Sequence, residues 1–346
     1  MHVGNTLVSW YHQHKRDLPW RNTRNPYHIW LSEIILQQTR VEQGLPYYEH
    51  FINKYADVSA LANASSDEVM RSWQGLGYYS RARNLHHAAK QILNDYKGEF
   101  PNTYEELLKL KGIGEYTAAA IASFAFKEAK AVLDGNVYRF LSRYFGVNTP
   151  INASKARKEF ISIAEEILLP DAPDLFNQAI MEFGALQCKP QSPNCLECPL
   201  QTGCWAFNHK KVADLPVKEK KLKRRSRYFY YFLIKEHEGI YLQKRTAKDI
   251  WQDMYEFPLL ELPEELANEH VLHLAKEQKL ISNDATILHI SSPIKHVLSH
   301  QDIFAVFIEL TDPQFRHQNR NKHLFIKDEE RRFFALPRLI EVYLQK

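Results

Sequence analysis

The chain's four cysteines stand together at Cys188, Cys195, Cys198 and Cys204, spaced C-x6-C-x2-C-x5-C. Thiols gathered in one loop of a chain from a reducing compartment read as metal ligands rather than disulfides. Structural zinc usually shows two close-spaced pairs, whereas this loop has one, so an iron-sulfur cluster is the better fit.

Two carboxylates are placed for chemistry as well. Glu33 lies in Trp30-Leu31-Ser32-Glu33-Ile34-Ile35-Leu36-Gln37, a stretch apolar nearly all round, so its helix is expected to be buried. Burial disfavours the charged carboxylate and raises its pKa toward the range of a general acid. Asp134 precedes Gly135-Asn136 and a helix predicted from Val137 to Tyr144, whose backbone amides are expected to cap it and hold it ionised. An acid beside an anion is the pair that cleavage through an oxocarbenium-like sugar requires. Each carboxylate also has a plainer reading: a glutamate satisfied by a neighbour, and an aspartate that only caps.

These residues need elements to hold them. Asn25-Pro26 reads as an N-cap followed by proline in the first turn of the Glu33 helix. Thr103 and Glu106 have the spacing of a capping box, predicting a helix from Tyr104 through Leu110 that stops at Gly112, with a second opening at Glu115. Between them Gly112 and Gly114 leave amides uncovered, either as a tight αα turn or as a phosphate grip. In Trp73-Gln74-Gly75-Leu76-Gly77-Tyr78-Tyr79-Ser80-Arg81-Ala82-Arg83, aromatics beside arginines suit either packing under a helix start or wedging between bases.

The 346 residues, 45% hydrophobic, suggest two domains. No apolar run approaches a membrane span and the N-terminus lacks signal-peptide features, so a cytoplasmic location is expected. A net charge of +4 is too weak to identify a nucleic-acid binder by itself. The first domain is placed at 1–209 and a basic, exposed linker at 210–227. From residue 228 to 346 the pattern becomes strand-like: YFYYFLI, GIYLQKR, ATILHI and IFAVFIEL, with helices predicted at Glu264 to Gln278 and Pro337 to Leu344. This is a small α+β domain.

Leu110 to Thr117, followed by Val132-Leu133-Asp134-Gly135-Asn136-Val137, resembles the helix-hairpin-helix and Gly/Pro-Asp signature of base-excision DNA glycosylases related to endonuclease III. Trp30 to Thr39 resembles the active-site helix of the MutY-type adenine DNA glycosylases. The resemblance implies a mainly α helix-hairpin-helix glycosylase domain with a 4Fe-4S loop, and a C-terminal Nudix-like domain. Glu33 would protonate the adenine, Asp134 would stand at the mouth of the base pocket, and Asn136 would orient water or the sugar phosphate. Gln38 and Thr39 would face the partner base, with Arg21 near the adenine, Tyr78 as the wedge and Leu76 beside the lesion. Related lyases carry a lysine where this chain has Tyr116, which implies a monofunctional hydrolase.

Gly239 to Arg245 and Glu256-Phe257-Pro258 resemble Nudix landmarks, but the helix from Glu264 lacks the arginine-glutamate cluster of Nudix hydrolases. The family's Phe-Ser-His recognition triplet corresponds to Leu298, Ser299 and His300, the aromatic being replaced. The implied partner is double-stranded DNA bearing adenine opposite 8-oxoguanine or guanine, bound by a monomer. The alternatives are a glycosylase of the same fold acting on another base, and a non-catalytic iron-sulfur DNA-binding protein.

Overall fold

The computed structural model describes residues 3–219, 224–237, 239–319 and 322–345. The helices before residue 209 are α1 (Val3–His14), α2 (Pro26–Ile35), α3 (Val41–Lys54), α4 (Val58–Asn63), α5 (Ser66–Trp73), α6 (Ser80–Asp95), α7 (Tyr104–Leu107), α8 (Glu115–Phe126), α9 (Gly135–Phe145), α10 (Ala156–Glu166), α11 (Pro173–Leu186) and α12 (Trp205–Asn208). Strands follow as β1 (Arg225–Glu236), β2 (Gly239–Lys244), β3 (Tyr255–Glu256), β4 (Leu259–Leu262), β5 (Thr286–Ile290), β6 (Ile294–Val297), β7 (Gln301–Thr311) and β8 (Leu324–Lys327). They are interspersed with α13 (Asn268–Glu277), α14 (Phe315–Asn319) and α15 (Arg338–Leu344). The chain forms two compact units, Met1–Asn63 with Asn84–Lys220, and Ala64–Arg83 with Lys221–Lys346.

In the first unit α2 starts as its sequence dictates. The Asn25 side chain accepts from the Tyr27 amide at 2.9 Å, and Pro26 takes the first helical position, where no amide is needed. Eight of its ten residues are buried, Glu33 among them, so the helix is a core element that carries a carboxylate inside. It packs on α8, whose run from Thr117 to Ser123 is wholly buried. Three consecutive alanines there let the two backbones approach closely. Helix α11 packs on α1, α8 and α9 around Trp10, Phe140, Phe176 and Phe183.

A buried asparagine on α11 shapes the approach to α9. Asn177 donates to Ser123 Oγ and the Lys130 carbonyl, both at 2.8 Å, and accepts from the Val132 amide at 3.1 Å. It thereby fixes the non-helical stretch that delivers Asp134. Past the end of α9, Gly146 adopts φ +72° against the Trp205 ring, which leaves no room for a Cβ.

The hairpin is shorter than its sequence predicts. Thr103 caps α7 by accepting from the Glu106 amide at 3.3 Å, but the helix ends at Leu107, not Leu110. The Glu106 carboxylate is drawn to Tyr96 and Lys109. Tighter i to i+3 bonds then carry the chain round, from the Leu110 amide to Leu107 and from Ile113 to Leu110. Gly112 completes the turn at φ +77°, and a Cβ there would collide with Asn84.

In the second unit β1 is the central strand, buried along six consecutive residues because it has neighbours on both sides. The order is β3-β2-β1-β7-β5, with β1 and β7 parallel and the other pairings antiparallel; β4, β6 and β8 add to β1, β7 and β2. All four predicted strand stretches lie on β1, β2, β5 and β7; the strands missed by pattern, β3, β4, β6 and β8, have four residues or fewer. Helix α13 starts at Asn268 rather than Glu264, since Ala267 remains extended as its N-cap.

The basic stretch read as an exposed linker is in part a strand. Arg225 begins β1, and Arg227 is only 6% exposed, forked onto Asp249 and Glu261. Residues 220–223 of that stretch lie outside the described residues. Segment 64–83 belongs with this unit through side-chain bonds. Asp67 accepts from the Tyr255 hydroxyl at 3.0 Å and pairs with Lys244, Gln74 bonds Glu341, and Arg83 donates to the Gln252 carbonyl at 2.8 Å.

Candidate active site

A cleft of about 940 Å³ opens in the first unit where the ends of α2, α8 and α11 meet the start of α9. Its lining includes Glu33, Tyr116, Asp134, Asn136, Arg21, Gln38, Thr39, Gly112 and Gly114. Residues up to 115 positions apart in sequence are thus brought to one wall.

Glu33 is 8% exposed, and its carboxylate accepts a hydrogen bond from the Tyr116 hydroxyl at 2.5 Å. Burial pushes its pKa up to about 7, the negative charge of Asp134 adding to the rise while the Tyr116 bond and Arg21 oppose it. Tyr116 is itself raised well above 10 by burial and by the two carboxylates, so it remains a donor.

Asp134 caps α9 as expected. One carboxylate oxygen accepts from the amides of Asn136 at 2.9 Å and Val137 at 2.7 Å, and the other from Asn136 Nδ2 at 2.7 Å. The direction of its pKa shift differs from the sequence expectation. Burial raises its pKa, and the amide bonds and Arg139 only partly offset that rise. Both carboxylates, not one, are pushed up, because capping amides do not replace the hydration lost in the buried site.

The same cleft is also lined by Glu182, which the sequence did not single out. Glu182 on α11 is 1% exposed and accepts from Arg16 Nε at 2.9 Å and Nη2 at 2.6 Å, from the Arg16 amide at 2.9 Å, and from Arg21 Nη1 at 2.9 Å and Nη2 at 2.7 Å. Although burial works to raise it, these bonds hold its pKa down at about 2. Arg21 therefore lines the cleft with its guanidinium already forked onto a carboxylate. Arg139 is also embedded, donating to the Cys188 carbonyl at 2.8 Å, the Gly184 carbonyl at 2.5 Å and Asn136 Oδ1 at 2.8 Å. The signal for Glu182 was the one that exposed Glu33, a carboxylate inside an apolar helical run, Ala179-Ile180-Met181-Glu182-Phe183.

At the end of α2, Gln37 donates to Thr117 Oγ1 at 3.2 Å and Gln38 turns into the left-handed region at φ +55°. Gly112 and Gly114 line the same cleft, and a Cβ on Gly114 would meet nothing within 4 Å, so its backbone is open to a ligand.

The second unit has its own cavity of about 520 Å³, lined by Leu76, Tyr78, Trp251, Leu298, Ser299 and His300 among others. Gly75 at φ +98°, Gly77 at +74° and Tyr78 at +46° shape the loop, and Trp73 Nε1 donates to the Gly77 carbonyl at 3.1 Å. Tyr78 is 42% exposed, whereas Tyr79 and Leu76 are each 6% exposed and Trp73 is fully buried. Of the aromatics in this loop, Tyr78 is the exposed one among the described residues. The Tyr78 hydroxyl bonds Ser299 Oγ. Leu298, Ser299 and His300 form the turn between β6 and β7, closed by the Leu298 amide on the Gln301 carbonyl at 2.9 Å.

The four cysteines are unbonded to one another and line a single small cavity with Phe140, Phe183 and Leu200. Arg143 Nη1 lies 3.5 Å from Cys188 Sγ. Among the described residues no three His, Cys, Asp or Glu side chains form a group able to hold one metal ion. Four thiols lining one cavity make a donor set that a thiolate-held iron-sulfur cluster fits.

Residues 31–166 match the HhH-GPD superfamily of base excision DNA repair proteins, and residues 230–346 match the NUDIX domain. The adenine DNA glycosylase of Buchnera aphidicola subsp. Baizongia pistaciae is 36% identical over 301 residues, 86% of this chain and 83% of that protein. That of Buchnera aphidicola subsp. Acyrthosiphon pisum is 31% identical over 341 residues, 98% and 95% of the two chains. Among solved structures, a thermostable thymine-DNA glycosylase aligns at 30% identity and TM-score 0.56, covering 60% of this chain and 95% of its own. A non-covalent endonuclease III–DNA complex aligns at 22% identity and TM-score 0.52 over 60% and 94%, a likeness of fold. The chain belongs to the adenine DNA glycosylase family within the HhH-GPD base excision repair superfamily.

Proposed function

We propose that this protein is a monofunctional base-excision-repair glycosylase that hydrolyses the N-glycosidic bond of adenine mispaired with 8-oxoguanine or guanine. The observation that carries this reading is Glu33, a buried carboxyl at the cleft, oriented by Tyr116 and half-protonated near neutral pH. Its proton passes to the flipped adenine, drawing electrons out of the glycosidic bond. As the bond lengthens the sugar becomes cationic, and Asp134, held by the Asn136 and Val137 amides, faces that charge as an anion. The positive sugar reverses the effect of burial on Asp134, favouring its ionised form when it is needed. Asn136 keeps the Asp134 carboxylate oriented, and water completes the hydrolysis.

Tyr116 stands where related lyases carry lysine, and no lysine lines the cleft among the described residues. This supports base release without strand cutting through a Schiff base. The open Gly112–Gly114 turn is suited to a backbone phosphate. Gln38 and Thr39 contact the base opposite the adenine, and Arg21 lies beside the adenine. Tyr78 wedges into the duplex above Leu76, while Ser299 and His300 bond to 8-oxoguanine; Leu298 supplies apolar contact in place of an aromatic ring. The protein works as a monomer on double-stranded DNA in the cytoplasm.

Cys188, Cys195, Cys198 and Cys204 would hold a 4Fe-4S cluster, which would tie their loop together. That loop presents Lys189 for a phosphate contact.

Single-turnover adenine release is the test, using duplexes with adenine opposite 8-oxoguanine, guanine and thymine, followed by alkali. Release from the first two, with strand breaks only after alkali, is expected. Release of another base only would overturn the substrate, and breaks before alkali would overturn the monofunctional reading.

A further inference from the structure

Glu182 neither reaches into solvent nor completes the acid-anion pair, yet it gathers five N–H donors at 1% exposure. That is more than a helix residue needs for stability. A buried ion group is weak evidence for stability, since apolar packing does as well. Its position relative to Glu33 gives another reason for it.

The charged and titratable groups around Glu33 come from five directions. Tyr116 donates to it from α8, and Asp134 acts on it from the cap of α9. Arg21 acts from the 3-10 turn Pro19–Arg21, with Arg16 from the preceding loop and Glu182 from α11 tied to both. Farther along the same cleft, Glu115 is paired with Arg157, and Arg40 lines the opening. Of the cations, Arg21 has a direct electrostatic effect on Glu33, and its sign favours loss of the proton. A general acid needs the reverse.

We propose that Glu182 is a positioning residue for the acid: it immobilises Arg16 and Arg21 and offsets part of the positive charge that Arg21 would otherwise set against Glu33. This inference rests on the assignment of Glu33 as the proton donor to adenine. The cleft thereby keeps guanidinium groups for binding without ionising the acid early. Arg21 stays at the cleft, with its charge partly offset by the carboxylate it shares with Arg16.

The test is the pH profile of single-turnover adenine release, measured on the whole protein at saturating enzyme with an adenine opposite 8-oxoguanine duplex. The wild-type rate is expected to fall as pH rises through the Glu33 midpoint near 7. In Glu182→Gln two cations are left under-compensated, and the midpoint moves down by roughly one pH unit. In Arg16→Gln, which removes a half-exposed cation and leaves Glu182 paired to Arg21, the midpoint moves the opposite way, by a smaller amount. Opposite shifts from two partners of one network would not follow from loosened structure. If Glu182→Gln does not fold, the upward shift in Arg16→Gln carries the test alone.

A lower rate with an unmoved midpoint in both variants would overturn the inference and leave Glu33 standing. A wild-type rate with no descending limb would overturn the acid assignment and this inference with it.

Discussion

Two glutamates on buried helices of the same unit end in opposite states. Glu33 on α2 has one neutral donor, Tyr116, and a carboxylate neighbour, and its pKa rises to about 7. Glu182 on α11 is buried as well but has two arginines, and its pKa falls to about 2. Burial is common to both, so burial does not decide the charge; the number of charged donors does. One carboxyl is left able to give up a proton near neutrality, and the other is a permanent counter-ion.

The largest effect expected from breaking this contrast is at Glu33. Glu33→Gln should reduce single-turnover adenine release by roughly 10²–10⁴-fold, the range for loss of a general acid. Its stability should move the other way. Because the folded pKa of about 7 exceeds the usual 4.5, the folded state binds more protons between those values, and wild-type stability declines as pH rises from 4.5 to 7. Glutamine avoids that loss, so the variant should gain up to about 3 kcal/mol over wild type by pH 8, read from urea unfolding at pH 5 and pH 8. An equal difference at both pH values would refute the raised pKa.

Glu182→Gln should destabilise the protein at neutral pH by about 3–5 kcal/mol, the effect of breaking a buried ion group. Here the sign is reversed: the folded pKa lies below the usual value, so the stabilisation is present above pH 4.5 and lost as pH falls through about 2. Chemical denaturation of both proteins should converge at low pH, and a constant gap would contradict the ion pairing.

Asn177→Ala removes three hydrogen bonds of a fully buried side chain. It should cost about 2–3 kcal/mol of stability and slow base release several-fold, because the stretch leading to Asp134 loosens. An unchanged rate in a destabilised variant would show that Asp134 is positioned by its own cap alone.

Tyr116→Phe sharpens the comparison more finely. The Tyr116 bond favours ionised Glu33, so its loss should move the descending limb of the rate profile up by roughly half to one pH unit. A downward move would mean that Tyr116 stabilises the protonated acid instead. The smallest effect expected is at Ser299→Ala, which removes the bond to the Tyr78 hydroxyl. It should narrow the preference for 8-oxoguanine over guanine pairs by about 1 kcal/mol, a few-fold in relative rate.

Local chemistry made much of the first unit legible. Asn25-Pro26 marked the start of α2, the apolar run around Glu33 marked its burial, and Asp134 ahead of Gly135 marked the cap of α9. Thr103 marked the start of α7 but not its length, because the fate of the Glu106 carboxylate depended on Tyr96 and Lys109 from outside and within the turn. In the second unit the long strands were legible from continuous apolar runs. The strands of two to four residues were not, since so few residues carry no measurable alternation. The membership of residues 64–83 in that unit rests on side-chain partners such as Asp67 with Tyr255, more than a hundred positions away.

The sequence by itself determined the kinds of group available: a carboxyl in an apolar helix, an aspartate at a cap, four clustered thiols and a glycine-relieved turn. Tertiary structure decided their charge and their company. It pushed the Asp134 pKa up rather than down, gave Glu33 a tyrosine, and gave Glu182 two arginines, although Glu33 and Glu182 stand in comparably apolar helical runs. Local sequence sets backbone and burial tendencies through short-range sterics and hydrophobicity. A pKa is set by the donors, charges and lost hydration within a few ångströms, and these are supplied by residues that only the fold makes neighbours.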